Sequence, residues 1–349
     1  MEHFRRALYK WYSVNKRELP WRTSKNPYLI WISEIILQQT RVQQGMAYFQ
    51  KFATTFPTVH DLADASEDEV LKLWQGLGYY SRARNLHKTA KIIVNHYNGV
   101  FPADYSAILA LKGIGPYTAA AIASIAFSQP YPAIDGNVYR VLARYFGLEV
   151  PTDSSAGKKQ FLALAEELID RRDPGMHNQA MMEFGALQCV PKSPDCPHCP
   201  LVAYCFAAQH QKIEDLPVKT KSLQQRERYF NYYLLEHGDT LLLEKRTQND
   251  IWKNLYQFPL VETPAQQSNE AILNTGIPFI KGQDYNIRWI SNEKKHVLSH
   301  QIIRAKLIRA EISANTPIRK PMFKVNKKDI SKFAVPRLLE LFFEDLKFD

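Results

Sequence analysis

No stretch of this 349-residue chain reads as a membrane span. One long uncharged run, Gly113 to Ile134, is broken by Pro116, Pro130 and Pro132 and carries Ser, Thr and Gln, which a lipid-facing helix disfavours. The start, Met1 to Tyr12, has Arg5, Arg6 and Lys10 with no apolar segment behind them, which excludes a secretory signal. There are only four cysteines, all between Cys189 and Cys205, and a chain without a secretory signal has little use for disulfides. Internal repeats and low-complexity tracts are absent too. These absences together predict a soluble, cytosolic globular protein of about two domains.

The charge is one-sided. Against 35 acidic residues stand 45 Lys and Arg, a net +10, and both halves share it: Met1 to Lys219 carries +4 and Thr220 to Asp349 +6. Such a balance suits an anionic partner such as nucleic acid, although it also serves solubility. Up to about residue 210 the apolar spacing is helical, as in Phe4-Ala7-Leu8-Trp11 and Phe161-Leu164-Ala165-Leu168. Ser66 to Glu69 forms a capping-box start, Asp173-Pro174 a second helix start, and Asn98-Gly99 and Gly147 are breakers. The texture then changes. Tyr229 to Leu235 and Thr240 to Leu243 are strand-like around the turn His237-Gly238-Asp239, followed by a strand at Ile302 to Ile312 and an amphipathic helix at Lys328 to Leu346. The expected division is 1–215 helical, 216–228 a polar connector, and 229–349 a mixed α+β domain.

Leu111-Lys112-Gly113-Ile114-Gly115-Pro116-Tyr117-Thr118-Ala119 places Gly113 and Gly115 between two helical segments, so backbone N–H groups at the start of the second helix can hold a phosphate without reading sequence. Downstream, Ile134-Asp135-Gly136-Asn137-Val138 puts an acid at a helix start, where it can cap the helix while its carboxylate faces a pocket. Together these segments resemble the signature of the helix-hairpin-helix DNA glycosylase superfamily. The resemblance implies an all-α core and a functional acid at Asp135. Upstream, Leu19-Pro20-Trp21-Arg22 and Trp31 to Thr40 are similar to the adenine-specific, MutY-type branch.

Glu34 is a single acid among Trp31, Ile35 and Leu37. Burial would raise its pKa and keep it protonated near neutrality, as a general acid requires; the plainer alternative is an acid on a solvated helix edge. Cleaving an N-glycosidic bond needs a proton on the departing base and negative charge beside a cationic sugar. The resemblance assigns the first task to Glu34 and the second to Asp135, with Asn137 in support. Related glycosylase/lyases carry a Lys at the position of Tyr117, an amine that attacks the sugar. Tyr117 cannot form that Schiff base, so the expected enzyme is monofunctional and leaves an abasic site, with the Tyr117 hydroxyl in the pocket. The branch further implies Gln38, Gln39 and Tyr79 as residues inserted into the duplex, and Arg22 and Gln179 as contacts to the flipped adenine.

The spacing Cys189-x6-Cys196-x2-Cys199-x5-Cys205, threaded with prolines, is a metal-site signal. Thiolate chemistry alone leaves zinc and an iron–sulfur cluster open. The resemblance selects a [4Fe–4S] cluster of the kind held by endonuclease III. In the second half, Trp252-Lys253-Asn254-Leu255-Tyr256-Gln257-Phe258-Pro259 resembles Nudix-like domains, but the stretch Thr263 to Thr275 holds only Glu270 where a hydrolase needs several acids for Mg²⁺. The branch uses this domain to read 8-oxoguanine opposite the adenine through a Phe-Ser-His loop, represented here by Leu298-Ser299-His300. Leu298 can still wedge between bases. The full expectation is a monomer, nucleoid-associated in the cytoplasm, acting on duplex DNA with A:8-oxoguanine or A:G mispairs.

Overall fold

A computed structural model describes residues 1–220, 225–280 and 285–346. The chain packs as two compact units, one of 1–64 with 85–221 and the other of 65–84 with 222–349.

The first unit is helical. Its core joins Phe4, Leu8 and Tyr12 of the first helix, Glu2–Asn15, to Val138, Val141 and Leu142 of helix Gly136–Phe146, and to Phe161, Leu168, Met181 and Phe184. Helix Pro27–Leu37 is apolar on every side, and each residue from Ile30 to Ile36 is buried. A helix without a polar face has to lie inside the unit, and Glu34 goes in with it. Helix Pro116–Phe127 is buried from Thr118 to Ser124, and its run of alanines lets neighbours approach. Helix Pro174–Leu187 uses that space: a Cβ on Gly175 would lie 3.0 Å from the Ser124 carbonyl oxygen. Both expected caps form: Asp173 accepts from Met176 N–H at 3.1 Å here, and in the second unit, which takes in 65–84, Ser66 and Glu69 bond reciprocally. No helix among the described residues is long and apolar enough to cross a membrane.

The second unit is built on a mixed sheet. Its strands are β1 (Arg226–His237), β2 (Thr240–Lys245), β3 (Tyr256–Gln257), β4 (Leu260–Thr263), β5 (Tyr285–Ile290), β6 (Lys294–Val297), β7 (Gln301–Ile312) and β8 (Met322–Asn326). The order is β3-β2-β1-β7-β5, with β4 on β1, β6 on β7 and β8 on β2. Strand β1 is central and parallel to β7, from Arg226 opposite Gln301 to Glu236 opposite Glu311. It is buried on both faces from Tyr232 to Glu236, which is why it reads as an unbroken apolar run. The turn at Gly238 has φ 54°, as a tight hairpin requires.

One expected element is corrected. Lys328 to Leu346 is not a single helix but a 3-10 segment, Lys327–Lys332, and a helix, Arg337–Leu346. Pro336 has no N–H to continue a helix, and the residues before it, Ala334 and Val335, turn inward to be buried. Of the stretch expected to be a connector, Leu216 is buried and Val218 accepts from Thr152 N–H at 3.0 Å, while Arg226 to Arg228 already belong to β1; 221–224 lie outside the described residues.

Candidate active site and cysteine loop

A cavity of about 190 Å³ in the helical unit is lined by Arg22, Glu34, Tyr117, Asp135, Asn137, Gln179, Met182 and Glu183 among others. Six residues expected at the site thus face one space. Glu34 is buried, and loss of water pushes its carboxyl from 4.5 up to about 7; the nearby Asp135 charge adds to the rise, while the Tyr117 hydrogen bond and Arg22 oppose it. Met182 Sδ, 3.1 Å from the Tyr117 hydroxyl, is the other acceptor open to its single proton. Burial, then the two carboxylates, hold its phenol well above 10, so it stays neutral.

Asp135 is the N-cap of helix Gly136–Phe146. Its Oδ1 accepts from Asn137 N–H at 2.9 Å and Val138 N–H at 2.8 Å, and its Oδ2 from Asn137 Nδ2 at 2.7 Å. Burial outweighs the rest and raises its carboxyl above the usual carboxylate value, while these three donors and Arg140 limit the rise. Two carboxyls on one cavity thus have opposite surroundings, Glu34 short of donors and Asp135 supplied with three.

Asn137 is itself fixed. Arg140 Nη2 donates to Asn137 Oδ1 at 2.9 Å and to the Gly185 carbonyl at 2.6 Å, and Arg140 Nε donates to the Cys189 carbonyl at 2.7 Å. Gly185 is needed for this packing, because a Cβ there would lie 2.6 Å from Asn137 Cβ.

Arg22 reaches the cavity as part of a clamp. Its Nη1 and Nη2 donate to Glu183 at 3.0 and 2.7 Å, and Arg17 donates to the same carboxylate through its backbone N–H, Nε and Nη2. Burial alone would raise Glu183, but the two guanidiniums bring it down to about 2. Sequence reasoning missed this residue. The available signal was a single acid inside the apolar helix Pro174–Leu187, which seldom survives unpaired. Gln179 lines the cavity and accepts from Tyr12 Oη at 3.1 Å.

The other expected residues lie elsewhere. Gln38 Nε2 donates to Thr118 Oγ1 at 3.2 Å, whereas Gln39 is exposed in the left-handed region at φ 55°. Gly113 has φ 82° and packs on Asn85, so its glycine is required by the fold. Gly115, the N-cap of Pro116–Phe127, has φ −96° and open space where a Cβ would sit. Nothing in the fold demands glycine there, and the vacancy lies at the N–H end of the helix.

All four cysteines line one small cavity of about 30 Å³ together with Arg144. No three of them converge on a point that would seat a single metal ion, among the described residues. Burial pushes the Cys199 thiol up to about 11, so thiolates there need a bound cation. The loop is tied to helix Gly136–Phe146 by Arg144, which donates to the Val190 and Pro191 carbonyls at 2.8 and 2.9 Å. Four thiols lining one recess are a donor set that suits either a zinc ion or an iron–sulfur cluster.

In the second unit Tyr79, Leu298, Ser299 and His300 line a recess of about 520 Å³ with Asp250 and Trp252. Tyr79 is 46% exposed at φ 47°, beside Gly78 at φ 72°, and its hydroxyl is hydrogen-bonded to Ser299 Oγ. Helix Asn269–Thr275 offers Glu270 as its one acid.

Residues 32–169 match the model of HhH-GPD superfamily base excision DNA repair proteins, and 231–345 match the NUDIX domain. An adenine DNA glycosylase of Buchnera aphidicola subsp. Acyrthosiphon pisum is 35% identical over 99% of this chain and 97% of its own length. The chain belongs to the adenine DNA glycosylase family. The human adenine DNA glycosylase is 42% identical over 61% of this chain and 41% of its own. Among solved structures, a thermostable thymine-DNA glycosylase superposes with a TM-score of 0.56 at 29% identity, covering 60% of this chain and 96% of its own. A trapped endonuclease III–DNA covalent intermediate gives 0.52 at 25%, covering 59% and 94%. The adenine DNA glycosylase architecture, a helix-hairpin-helix core followed by a Nudix-like domain, is therefore the one this chain adopts.

Proposed function

We propose that this protein hydrolyses the N-glycosidic bond of adenine mispaired with 8-oxoguanine or guanine in duplex DNA, leaving an abasic site and an unbroken strand. One observation carries the reading: Glu34, buried and raised to about 7, lines the same cavity as Asp135, whose carboxylate is held by three hydrogen-bond donors. Glu34 gives its proton to N7 of the flipped adenine, so that the C1′–N9 pair of electrons leaves with a neutral base. The deoxyribose becomes cationic at C1′, and the Asp135 carboxylate stabilises it there. Glu34, now a carboxylate, takes a proton from water as the oxygen bonds to C1′, which returns the acid for the next cycle. Asn137 holds Asp135 in place, Tyr117 orients Glu34, and Arg22 and Gln179 line the side where the base enters.

Tyr117 has no amine, and a hydroxyl held far above neutrality does not attack the sugar. Purified protein is therefore expected to release adenine from duplexes with 8-oxoguanine or guanine opposite, with strand breakage appearing only after alkali and no borohydride-trapped protein–DNA adduct. A trapped adduct, or intact adenine, would overturn this reading. Duplex backbone contacts are proposed for Gly113 and Gly115, insertion for Gln38, Gln39 and Tyr79, and reading of the opposite base for Leu298, Ser299 and His300.

Cys189, Cys196, Cys199 and Cys205 would hold a [4Fe–4S] cluster, whose task here is to fix the loop that Arg140 and Arg144 grip. The protein is expected to show visible sulfur-to-iron absorbance that is lost in Cys199→Ser; zinc, with a filled d shell, would give a colourless protein.

A further inference from the structure

Loop residues Leu298, Ser299 and His300 join β6 to β7, and the backbone around them is already tied down. Leu298 N–H donates to the Gln301 carbonyl at 2.8 Å, Arg226 N–H to the His300 carbonyl at 3.1 Å, and Gln225 Nε2 to the Leu298 carbonyl at 2.8 Å. The side chain of Gln301, the first residue of β7, is held differently. Its Oε1 accepts from Arg228 Nη1 at 3.0 Å.

Arg228 is the least expected residue here, a cation on β1 that is only 8% exposed. Its remaining donors are all matched. Nε and Nη2 bind both oxygens of Glu262 on β4 at 2.7 and 2.6 Å, and Nη1 and Nη2 bind both oxygens of Asp250 at 3.0 and 2.8 Å. Asp250 takes a further bond from Arg246 Nη2 at 3.0 Å and lines the same recess as the loop. A guanidinium offers five N–H groups in a rigid plane, and here each has an acceptor, so the orientation of Arg228 is fixed from three segments of the chain at once. Surface solubility would not require a buried arginine with two bidentate carboxylates, and a sheet strand is stable without one.

We infer that Arg228, through Gln301, is a positioning residue that sets the Leu298-Ser299-His300 loop for recognition of the base opposite the adenine. The inference rests on the proposed reading of that loop. Arg228 and its partners belong to the second unit and Glu34 and Asp135 to the first, so the cluster's influence should fall on the choice between opposite bases and leave the chemical step alone.

Gln301→Leu removes the link while leaving Arg228 paired to both carboxylates. In single-turnover excision of adenine, the preference for 8-oxoguanine over guanine opposite is expected to fall about tenfold, the factor that one orienting hydrogen bond carries. Excision opposite guanine should stay within about twofold, and Gln301→Glu, which keeps the acceptor, should restore the preference. Hydrogen exchange at the loop amides should quicken in Gln301→Leu while the centre of β1 stays protected. An unchanged preference with unchanged loop exchange, or equal loss on both substrates, would overturn the inference. A wild-type protein indifferent to the opposite base would instead refute the reading of the loop, and the exchange measurement would then decide alone whether Arg228 positions it.

Discussion

Glu34→Gln is expected to lower the single-turnover rate of adenine release by about 10²- to 10⁴-fold, the usual worth of a positioned general acid, and to make the folded protein more stable above neutral pH. Both effects follow from one displacement. The Glu34 carboxyl goes from 4.5 in the open chain to about 7 when folded, because burial removes the water that would solvate its charge. The folded state therefore binds this proton more tightly than the unfolded one. Stability from this group is complete below about pH 4.5 and is lost as pH rises through about 7, where the buried carboxyl must ionise. A difference of about 2.5 at ~1.4 kcal/mol per pH unit makes the loss roughly 3 kcal/mol by about pH 8. Gln cannot ionise and avoids it. Melting curves at about pH 5.5 and pH 8 should thus lie further apart for the wild type than for Glu34→Gln. The wild-type rate should also fall about tenfold per unit above pH 7, as the protonated fraction does, while the variant's residual rate stays flat. Parallel stability profiles, or near-normal excision by the variant, would remove Glu34 from the proposed role.

What could be read in the sequence depended on how locally it was encoded. The Asp135 cap needs only its own next three residues, and the capping box at Ser66 and the Asp173 cap before Pro174 are equally local; all three form. The sequence left Glu34 open between a buried acid and a solvated helix edge; the structure decides for burial, because a helix with apolar residues on every side leaves its acid nowhere else to go. That Glu34, Tyr117 and Asp135 open onto one cavity could not be read, since it depends on how three helices pack. Pairing was still less visible. Glu183 draws Arg17 and Arg22 from the far end of the chain, and Arg228 draws Asp250, Glu262 and Gln301 from three separate segments. In both cases the sequence shows a charge on an element that ought to be buried, but not its partner. The break at Pro336 had a plain local signal, and the amphipathic pattern around it concealed that signal.

For Asp135→Asn the expected loss is of another kind, about 10²- to 10³-fold in rate, comparable to removing one group that stabilises transition-state charge, with the fold retained. Asn is as good an N-cap as Asp, and its Oδ1 can keep the Asn137 and Val138 N–H bonds. The third bond is lost. An Asn at 135 turns an NH₂ towards Asn137 Nδ2, where two donors meet, and Asn137 cannot turn over to help because its Oδ1 is held by Arg140 Nη2. That conflict should cost about 1 kcal/mol of stability, no more than one hydrogen bond, while the rate suffers from the missing negative charge at C1′. Asp135→Ala should reverse the weighting and lose the cap as well, for about 1 kcal/mol further, with a similar rate. Thermal melts paired with single-turnover rates on the two variants separate cap from charge. If Asp135→Asn excises adenine within about threefold of wild type, less than the ~1.4 kcal/mol that a tenfold change represents, the carboxylate supports a helix and nothing more.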